Sequence, residues 1–287
     1  MTPVELLSVW LHARLPSSAR TWLITGLERL RATGADRDLY VLASLVTRYI
    51  GKELLALSQA EANAAQASRP GWDPSEWTLD QAARVYLLVA STADGADMSR
   101  RLDRLCSAGD VSELVAFYRG LPLYPDPARH ALRAAEGVRS NMRVVFEAVA
   151  HRNPYPSEHF AEPAWNQLVL KALFVGSRLD PIAGLDVRRN PTLARMLCDY
   201  ARERWAASRP VHPELWRCVG PFASGETLVL VQRLFERGSE IEREAAALAL
   251  RDSTDPDALR LLESHHVLAR SAREGNLSWQ RLAAVRS

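Results

Sequence analysis

The chain has 287 residues, of which 47% are hydrophobic and 24% are charged, and its formal net charge is +2. This profile is typical of a globular protein with a substantial core, and its near-neutral charge argues against a nucleic-acid-binding protein. No run of about 18 apolar residues occurs, so the sequence predicts no membrane-spanning helix.

The first residues and the cysteines bear on location. The opening stretch MTPVELLSVWLHARLP has neither a basic region nor a long apolar run, so it is not predicted to be a signal peptide. Cys106, Cys198 and Cys218 are far apart and odd in number, which favours reduced thiols over disulfides or zinc. We expect a cytoplasmic protein, with a peripheral position at the inner face of the membrane as the alternative.

Helical patterns follow one another along the chain, while strand patterns are nearly absent, so the predicted fold class is all-α. Gly34 is expected to end the second helix, and Asp36 is a candidate N-cap for the third. The predicted helices cover approximately residues 3–15, 17–32, 37–49, 53–67, 78–92, 98–107, 111–119, 128–137, 140–151, 163–175, 191–207, 213–218, 225–237, 240–251, 255–264 and 277–285.

Residues 68–75, with the sequence RPGWDP at their centre, form the clearest linker. They predict an N-terminal helical part over 1–67 and a helical array over 76–287, with one continuous domain as the alternative. The tail 224–266 resembles a HEAT-type helix pair, in which Asp255 and Pro256 suit an N-cap and a first helical position. We therefore expect an irregular α-solenoid, with a compact bundle as the alternative.

Residues 151–222 carry more polar, aromatic, proline and glycine detail than helix packing requires. Helix 163–175 is apolar almost all round, from Trp165 to Phe174, and is predicted to be buried. Asn166 falls on its apolar face and needs hydrogen-bond partners there. It either ties a neighbouring loop or forms the floor of a ligand pocket, and Lys171 is expected to extend towards water.

Helix 191–207 carries a polar stripe made of Arg195, Asp199, Arg202 and Glu203. Their spacing places them on one face of the helix. The stripe is either a solvated ion-pair face or a wall that faces a cavity or a partner.

Between these two helices, Gly176 is expected to end the first and Asn190 to cap the second. Arg188 and Arg189 come just before the N-terminus of the second helix, where they could bind a phosphate or a carboxylate. The alternative is an ordered loop held by Asp–Arg pairs.

Two histidines and a glutamate, His151, His159 and Glu162, suggest a metal site, but Pro154 and Pro156 disrupt the helix that would align them. We predict no metal ligand. His265 and His266 are expected to end a helix, where their charge would complement its dipole.

Sequence motifs for catalysis and cofactor binding are also missing. The sequence contains no G-x-S-x-G elbow, no phosphate-binding loop and no dinucleotide fingerprint. We predict no catalytic residue and no cofactor. An enzyme with an unrecognised site around His151, His159, Lys171 and Asp199 is the alternative, and displaced pKa values in a concave pocket would be its sign.

Three stretches, HRNPYP (151–156), EPAWNQLVLKALFVGSRLDPIAGLD (162–186) and RRNPTLARMLCDYARERWAASRPVHPELWRCVGPF (188–222), resemble the EboA family. Members are encoded beside a membrane prenyltransferase-like protein and beside sugar-isomerase-like and hydrolase-like proteins. The resemblance implies a role in moving or modifying a secondary-metabolite precursor towards the cell envelope. It also implies the prenyltransferase and a small-molecule precursor as partners.

The resemblance singles out a functional surface to which Arg188 and Arg189 are added from the loop. Its other members are His151, Asn153, Tyr155, Trp165, Asn166, Lys171, Asp186, Asn190, Arg195, Asp199 and Trp216. The favoured hypothesis is a non-catalytic helical binding or adaptor protein. The alternatives are the enzyme described above and a structural subunit whose detailed segment is an oligomer interface.

Overall fold

The computed structural model describes residues 1–92 and 94–284. These residues form α-helices and three short 3-10 helices without any β-strand, which confirms the predicted all-α class. The α-helices are α1 (Pro3–Arg14), α2 (Ser17–Thr33), α3 (Asp36–Ile50), α4 (Gln59–Ser68), α5 (Leu79–Ala90), α6 (Gly95–Ala108), α7 (Val111–Arg119), α8 (Ala131–Arg139), α9 (Arg143–Ala150), α10 (Tyr155–His159), α11 (Glu162–Phe174), α12 (Pro191–Ala206), α13 (Leu215–Val219), α14 (Gly225–Arg237), α15 (Glu240–Arg251), α16 (Pro256–Glu263), α17 (His266–Arg273) and α18 (Trp279–Ala283). Among the described residues, no helix has both the length and the apolar character needed to cross a membrane.

The chain divides into two compact units, residues 1–161 (the N-unit) and 162–287 (the C-unit). The predicted linker 68–75 lies inside the N-unit. Trp72 is 1% exposed, and its ring centroid lies 5.7 Å from that of Trp10 and 6.0 Å from that of Trp77. The units divide at a different point from the predicted boundary, because Trp72 fixes this segment to α1.

Helix α5 is the centre of the N-unit, where it packs against α1, α2, α3 and α7. Asp80 and Arg84 on this helix are both 2% exposed and form an ion pair of 2.7 Å. Arg84 also donates to the carbonyl of Ala43 (3.1 Å) and to Thr47 Oγ1 (2.9 Å) on α3. The pair is thus fully hydrogen-bonded, which a buried ion pair requires, and it fixes α5 to α3.

Helix α15 is the centre of the C-unit, where it packs against α13, α14, α16, α17 and α18. Every residue from 244 to 250 is buried, and the alanines among them allow neighbouring helices to approach closely. Asp255 caps α16 as predicted, since its Oδ1 accepts the N–H groups of Asp257 (2.8 Å) and Ala258 (3.2 Å). The solenoid arrangement stays a prediction.

Three predictions about helices are wrong. Helix α10 was not predicted, and its Pro156 lies in the first turn, where a missing N–H costs no helical hydrogen bond. Helix α4 begins at Gln59 instead of residue 53, because the preceding residues pair with another part of the chain: Leu55 N–H donates to the carbonyl of Trp77 (2.8 Å). Helix α17 was not predicted, so His266 begins a helix instead of ending one. The dipole argument therefore fails, and His265 stacks on Phe235 at 4.0 Å between ring centroids.

Candidate functional site

The candidate residues are divided between the two units. His151, Asn153 and Tyr155 lie in the N-unit, and the others lie in the C-unit.

Asn153 and Tyr155 hold the N-unit together. The Asn153 amide, 2% exposed, donates to the carbonyls of Tyr118 (3.0 Å) and Ala148 (3.1 Å) and accepts the N–H of Tyr155 (3.1 Å). The hydroxyl of Tyr155 donates to the carbonyl of Pro127 (2.5 Å), and burial raises its pKa to about 12. Both side chains are therefore fully engaged in joining α7, α9 and α10.

Half-buried His151 lines a small polar pocket of about 60 Å³ together with Arg119, Arg152, Asp73 and Glu76. Arg152 binds Asp73 (2.6 Å) and Glu76 (3.1 Å), and its backbone is in the left-handed region at φ 50°. Residues other than glycine are uncommon in that conformation, and contacts with the surroundings must hold the backbone there. Burial lowers the pKa of Arg119. The pocket has room for water or a small ion but not for a metabolite.

His159 does not join this pocket as a lining residue. Its ring packs against Tyr155 at 4.8 Å, and its Nε2 lies 3.5 Å from a carboxylate oxygen of Glu158. In residues 1–92 and 94–284, no three His, Cys, Asp or Glu side chains are placed to hold a metal ion.

In the C-unit, Asn166 and Asn190 form a reciprocal amide pair. Asn190 Nδ2 donates to Asn166 Oδ1 (2.8 Å), and Asn166 Nδ2 donates to Asn190 Oδ1 (3.3 Å). Asn190 Oδ1 also accepts the N–H of Leu193 (2.8 Å), which makes it the predicted N-cap of α12. Asn166 is 2% exposed, so its buried amide ties the loop that precedes α12.

The same pair sets the direction of the helices. Asn166 contacts the start of α12, and further along, the hydroxyl of Tyr200 donates to the carbonyl of Leu173 (3.4 Å). The two contacts place α11 and α12 side by side in the same direction. The loop 175–190 must therefore run back along the length of α11, which explains its size.

Arg217 on α13 and Glu214 just before this helix bind the loop 175–190. Arg217 binds both oxygens of Asp186 (2.8 and 2.7 Å) and Asp180 Oδ1 (3.0 Å), a forked geometry that suits carboxylates. Burial raises the pKa of Asp186, but the hydrogen bonds and charge of Arg217 outweigh it and hold the pKa below its ordinary value.

Glu214 is fully buried and accepts the N–H groups of Leu179 (2.9 Å) and Asp180 (2.6 Å). Burial raises its pKa, and the two N–H groups offset this only in part. Sequence reasoning did not single out Glu214, Arg217 or Asp180. No local signal marks Glu214 or Arg217, because their partners lie 31 to 37 residues away in the sequence.

The loop arginines are also engaged. Arg189 donates to the carbonyls of Asp186 (3.0 Å) and Arg217 (3.2 Å) and binds Asp252 (3.2 Å). Arg188 lies over the Trp165 ring, 5.0 Å from its centroid, in a cation–π contact. These contacts are those of an ordered loop, and anion binding at the two arginines stays a prediction.

Several side chains of α11, α12 and the loop between them are exposed to solvent. Arg195 is exposed, and Asp199, 68% exposed, pairs with Arg202 at 3.0 Å, so the stripe faces solvent. Phe174 is 77% exposed, contrary to the prediction that it is buried, because α11 ends there. Val187 is 89% exposed, and we call the exposed residues 186–187 the loop tip.

The remaining candidates lie under this surface. Lys171 is half-buried on α11. Trp216 is fully buried and stacks on Trp205, with ring centroids 5.8 Å apart. Its indole N–H makes no hydrogen bond within the described part of the chain. The site is thus an internally bonded loop on which Val187 is the exposed apolar side chain.

Comparison with known proteins gives one match. A family model described as metabolite traffic protein EboA matches residues 3–220, which is most of the chain. No curated protein and no solved structure matches. The chain belongs to the EboA family.

Proposed function

We propose that this chain is a non-catalytic binding and adaptor protein of metabolite traffic, and that it docks on a partner through the tip of the loop 175–190. The partner we propose is the membrane prenyltransferase-like protein of the same cluster, approached from the cytoplasmic side. The family description supports metabolite traffic as the setting.

One observation carries the proposal: Asp186 and Arg189 of the loop are held by hydrogen bonds and ion pairs within the C-unit, while Val187 between them is 89% exposed. A loop that is already ordered loses little conformational entropy when it docks. An exposed apolar side chain on a fixed backbone gains free energy when a partner covers it. The arrangement therefore suits recognition of another protein.

The contacts give less support to the enzymatic alternative. Asp199 is 68% exposed and paired with Arg202, so it stays hydrated and its charge is neutralised. His159 packs against Tyr155, and His151 lines a pocket of only about 60 Å³. Catalytic groups with displaced pKa values are expected in a larger concave site.

The test is binding of the purified chain to membranes that contain the prenyltransferase-like protein, measured by co-sedimentation. Val187→Asp places a carboxylate in the proposed contact and is expected to weaken binding at least about tenfold, since burying an unpaired charge is costly. The matched control is Val267→Asp on α17, which is 79% exposed and lies outside the residues matched by the family.

The control is expected to bind like the parent. Equal binding of Val187→Asp and the parent would remove the loop tip from the interface. Binding to membranes that lack the prenyltransferase-like protein would replace the protein partner with lipid. Turnover of a precursor by the purified chain would revive the enzymatic alternative.

A further inference from the structure

The N-unit contains a groove between α3 and α6, with a volume of about 530 Å³. Small-molecule sites in proteins typically have volumes of about 300–1,000 Å³. Helix α3 contributes Tyr40 and Ser44 to one wall, and the C-terminal half of α6, including Leu105 and Ala108, forms the other. None of these residues belongs to the candidate site described above.

The inner surface of the groove is mainly apolar. The ring of Tyr40 and the side chains of Leu105 and Ala108 contribute to its walls, and the hydroxyl of Ser44 is already bonded to the carbonyl of Val41 (2.9 Å). Such walls bind the apolar body of a small molecule by removing it from water.

The acids of the groove are already paired. Asp103 accepts from Arg133 (2.9 Å) on α8, and Glu113 accepts the N–H of Asp110 (2.9 Å) in the capping box of α7. Each carboxylate thus already has a partner within the N-unit.

Arg104 is the exception among the charged residues of the groove. Its side chain is 62% exposed and its nearest carboxylate, Asp36, is 3.6 Å away. That carboxylate already accepts hydrogen bonds from Arg100 and Arg101. Three guanidinium groups thus surround one aspartate, and the N–H groups of Arg104 make no hydrogen bond within the described residues. They can bind an anion that enters the groove.

Tyr40 supplies a further observation. Its hydroxyl is enclosed by protein atoms and makes no hydrogen bond within the part of the chain that the structure describes. Buried hydroxyl groups rarely lack a partner. A change of the Tyr40 χ1 angle towards the groove would bring the hydroxyl to an acceptor on a bound molecule without breaking any hydrogen bond of that hydroxyl.

We propose that the α3–α6 groove binds a small aromatic anion, whose flat body lies against Tyr40 and Leu105 and whose carboxylate or phosphate binds Arg104. The inference rests on the proposed binding function and names the class of small molecule that the protein would bind. The apolar walls and the exposed guanidinium group of Arg104 together favour this class over neutral polar molecules.

The test uses the full chain and two fluorescent probes with the same ring system: anilinonaphthalene sulfonate, which is anionic, and phenylnaphthylamine, which is neutral. Arg104→Glu is expected to weaken binding of the sulfonate at least tenfold and to leave the affinity for the neutral probe within about twofold. Arg139→Glu on α8 makes the same charge change at an exposed arginine outside the groove. It is expected to change neither affinity.

Ala108→Trp fills the groove from an exposed position and is expected to abolish binding of both probes. Each variant must keep the circular dichroism spectrum and melting temperature of the parent. Sulfonate binding that is unaffected by both Arg104→Glu and Ala108→Trp would place the probe elsewhere and overturn the proposal. Competition by naphthoate against naphthyl phosphate then identifies the preferred anionic group.

The groove and the docking loop can fail separately. Membrane binding that persists in Ala108→Trp, while probe binding is lost, supports two independent sites. Probe binding that survives in the groove variants overturns this inference and leaves the test at Val187 intact. If the parent chain does not bind membranes that contain the prenyltransferase-like protein, the docking proposal is overturned and the probe test still stands.

Discussion

At the scale of single residues, charged side chains of the C-unit hold the loop 175–190 in place. A carboxylate without any exposure is costly unless it accepts hydrogen bonds. Glu214 meets this condition through the N–H groups of Leu179 and Asp180, at 2.9 and 2.6 Å. The side chain thus replaces the hydrogen bonds that the loop backbone would otherwise make with water.

The first prediction concerns this carboxylate. Glu214→Ala leaves two backbone N–H groups without a partner and should destabilise the C-unit by about 3 kcal/mol. Glu214→Gln keeps one acceptor oxygen and should cost about 1–2 kcal/mol. Urea denaturation measures both. Glu203→Ala, an exposed acid on α12, is the control and should be neutral within about 0.5 kcal/mol. A fully stable Glu214→Ala would show that the loop is held by other contacts.

Residues whose partners are close in sequence could be predicted, and those with distant partners could not. Asn190 and Asp255 were recognised as caps because each one bonds N–H groups within three residues. Glu214 and Arg217 bond groups that lie 31 to 37 residues away, so nothing local distinguishes them from exposed charges. The sequence singles out the segment as a candidate site, but it does not identify the side chains that hold its loop.

At the scale of helices, α4 is attached to α1 by an ion pair. Only Ala65 of α4 is buried, so apolar packing contributes little to its position. Glu61 accepts from Arg14 on α1 at 3.0 and 2.7 Å and also completes the capping box with Ser58. The hydrogen bonds from Arg14 lower the pKa of Glu61 to about 2, against the opposing effect of burial.

The second prediction follows from this depressed pKa. Glu61→Gln should destabilise the chain by about 1 kcal/mol at neutral pH. Because the folded pKa is below the ordinary value of 4.5, the contribution is present above pH 4.5 and is lost as pH falls towards 2. The stability difference between parent and variant should therefore shrink over that range. Glu53→Gln, exposed nearby, serves as the control, and a difference that does not change with pH would contradict the pairing.

At the scale of the whole molecule, the residues matched by the family model do not complete a hydrophobic core by themselves. The match ends at Gly220, where α13 and the following turn pack against α15. Leu215 and Trp216 are fully buried, and α15 belongs to the unmatched tail. The sequence predicted a helix pair in this tail, but it could not show that the pair completes the core of the family segment, because that contact joins distant parts of the chain.

The last prediction tests this contact. A Cβ atom at Gly220 would lie 2.2 Å from the carbonyl oxygen of Ala249, and a backbone atom within a buried helix cannot move aside as a side chain can. Gly220→Ala should therefore separate α13 from α15 and cost about 3 kcal/mol or more. Hydrogen exchange of the amides in both helices should rise together, since each helix covers the other.

The control is Gly26→Ala in α2, where the added methyl group would meet only the flexible end of Leu42, at 3.0 Å. Alanine is favoured over glycine inside a helix by about 0.5–1 kcal/mol, so this variant should be neutral or slightly stabilised. Unchanged exchange in Gly220→Ala would mean that the tail packs loosely on the family segment. Faster exchange in α13 and α15 would show that residues beyond 220 hold the docking loop in place. The reason is that Glu214, which precedes α13, and Arg217, which lies on it, both bind the loop.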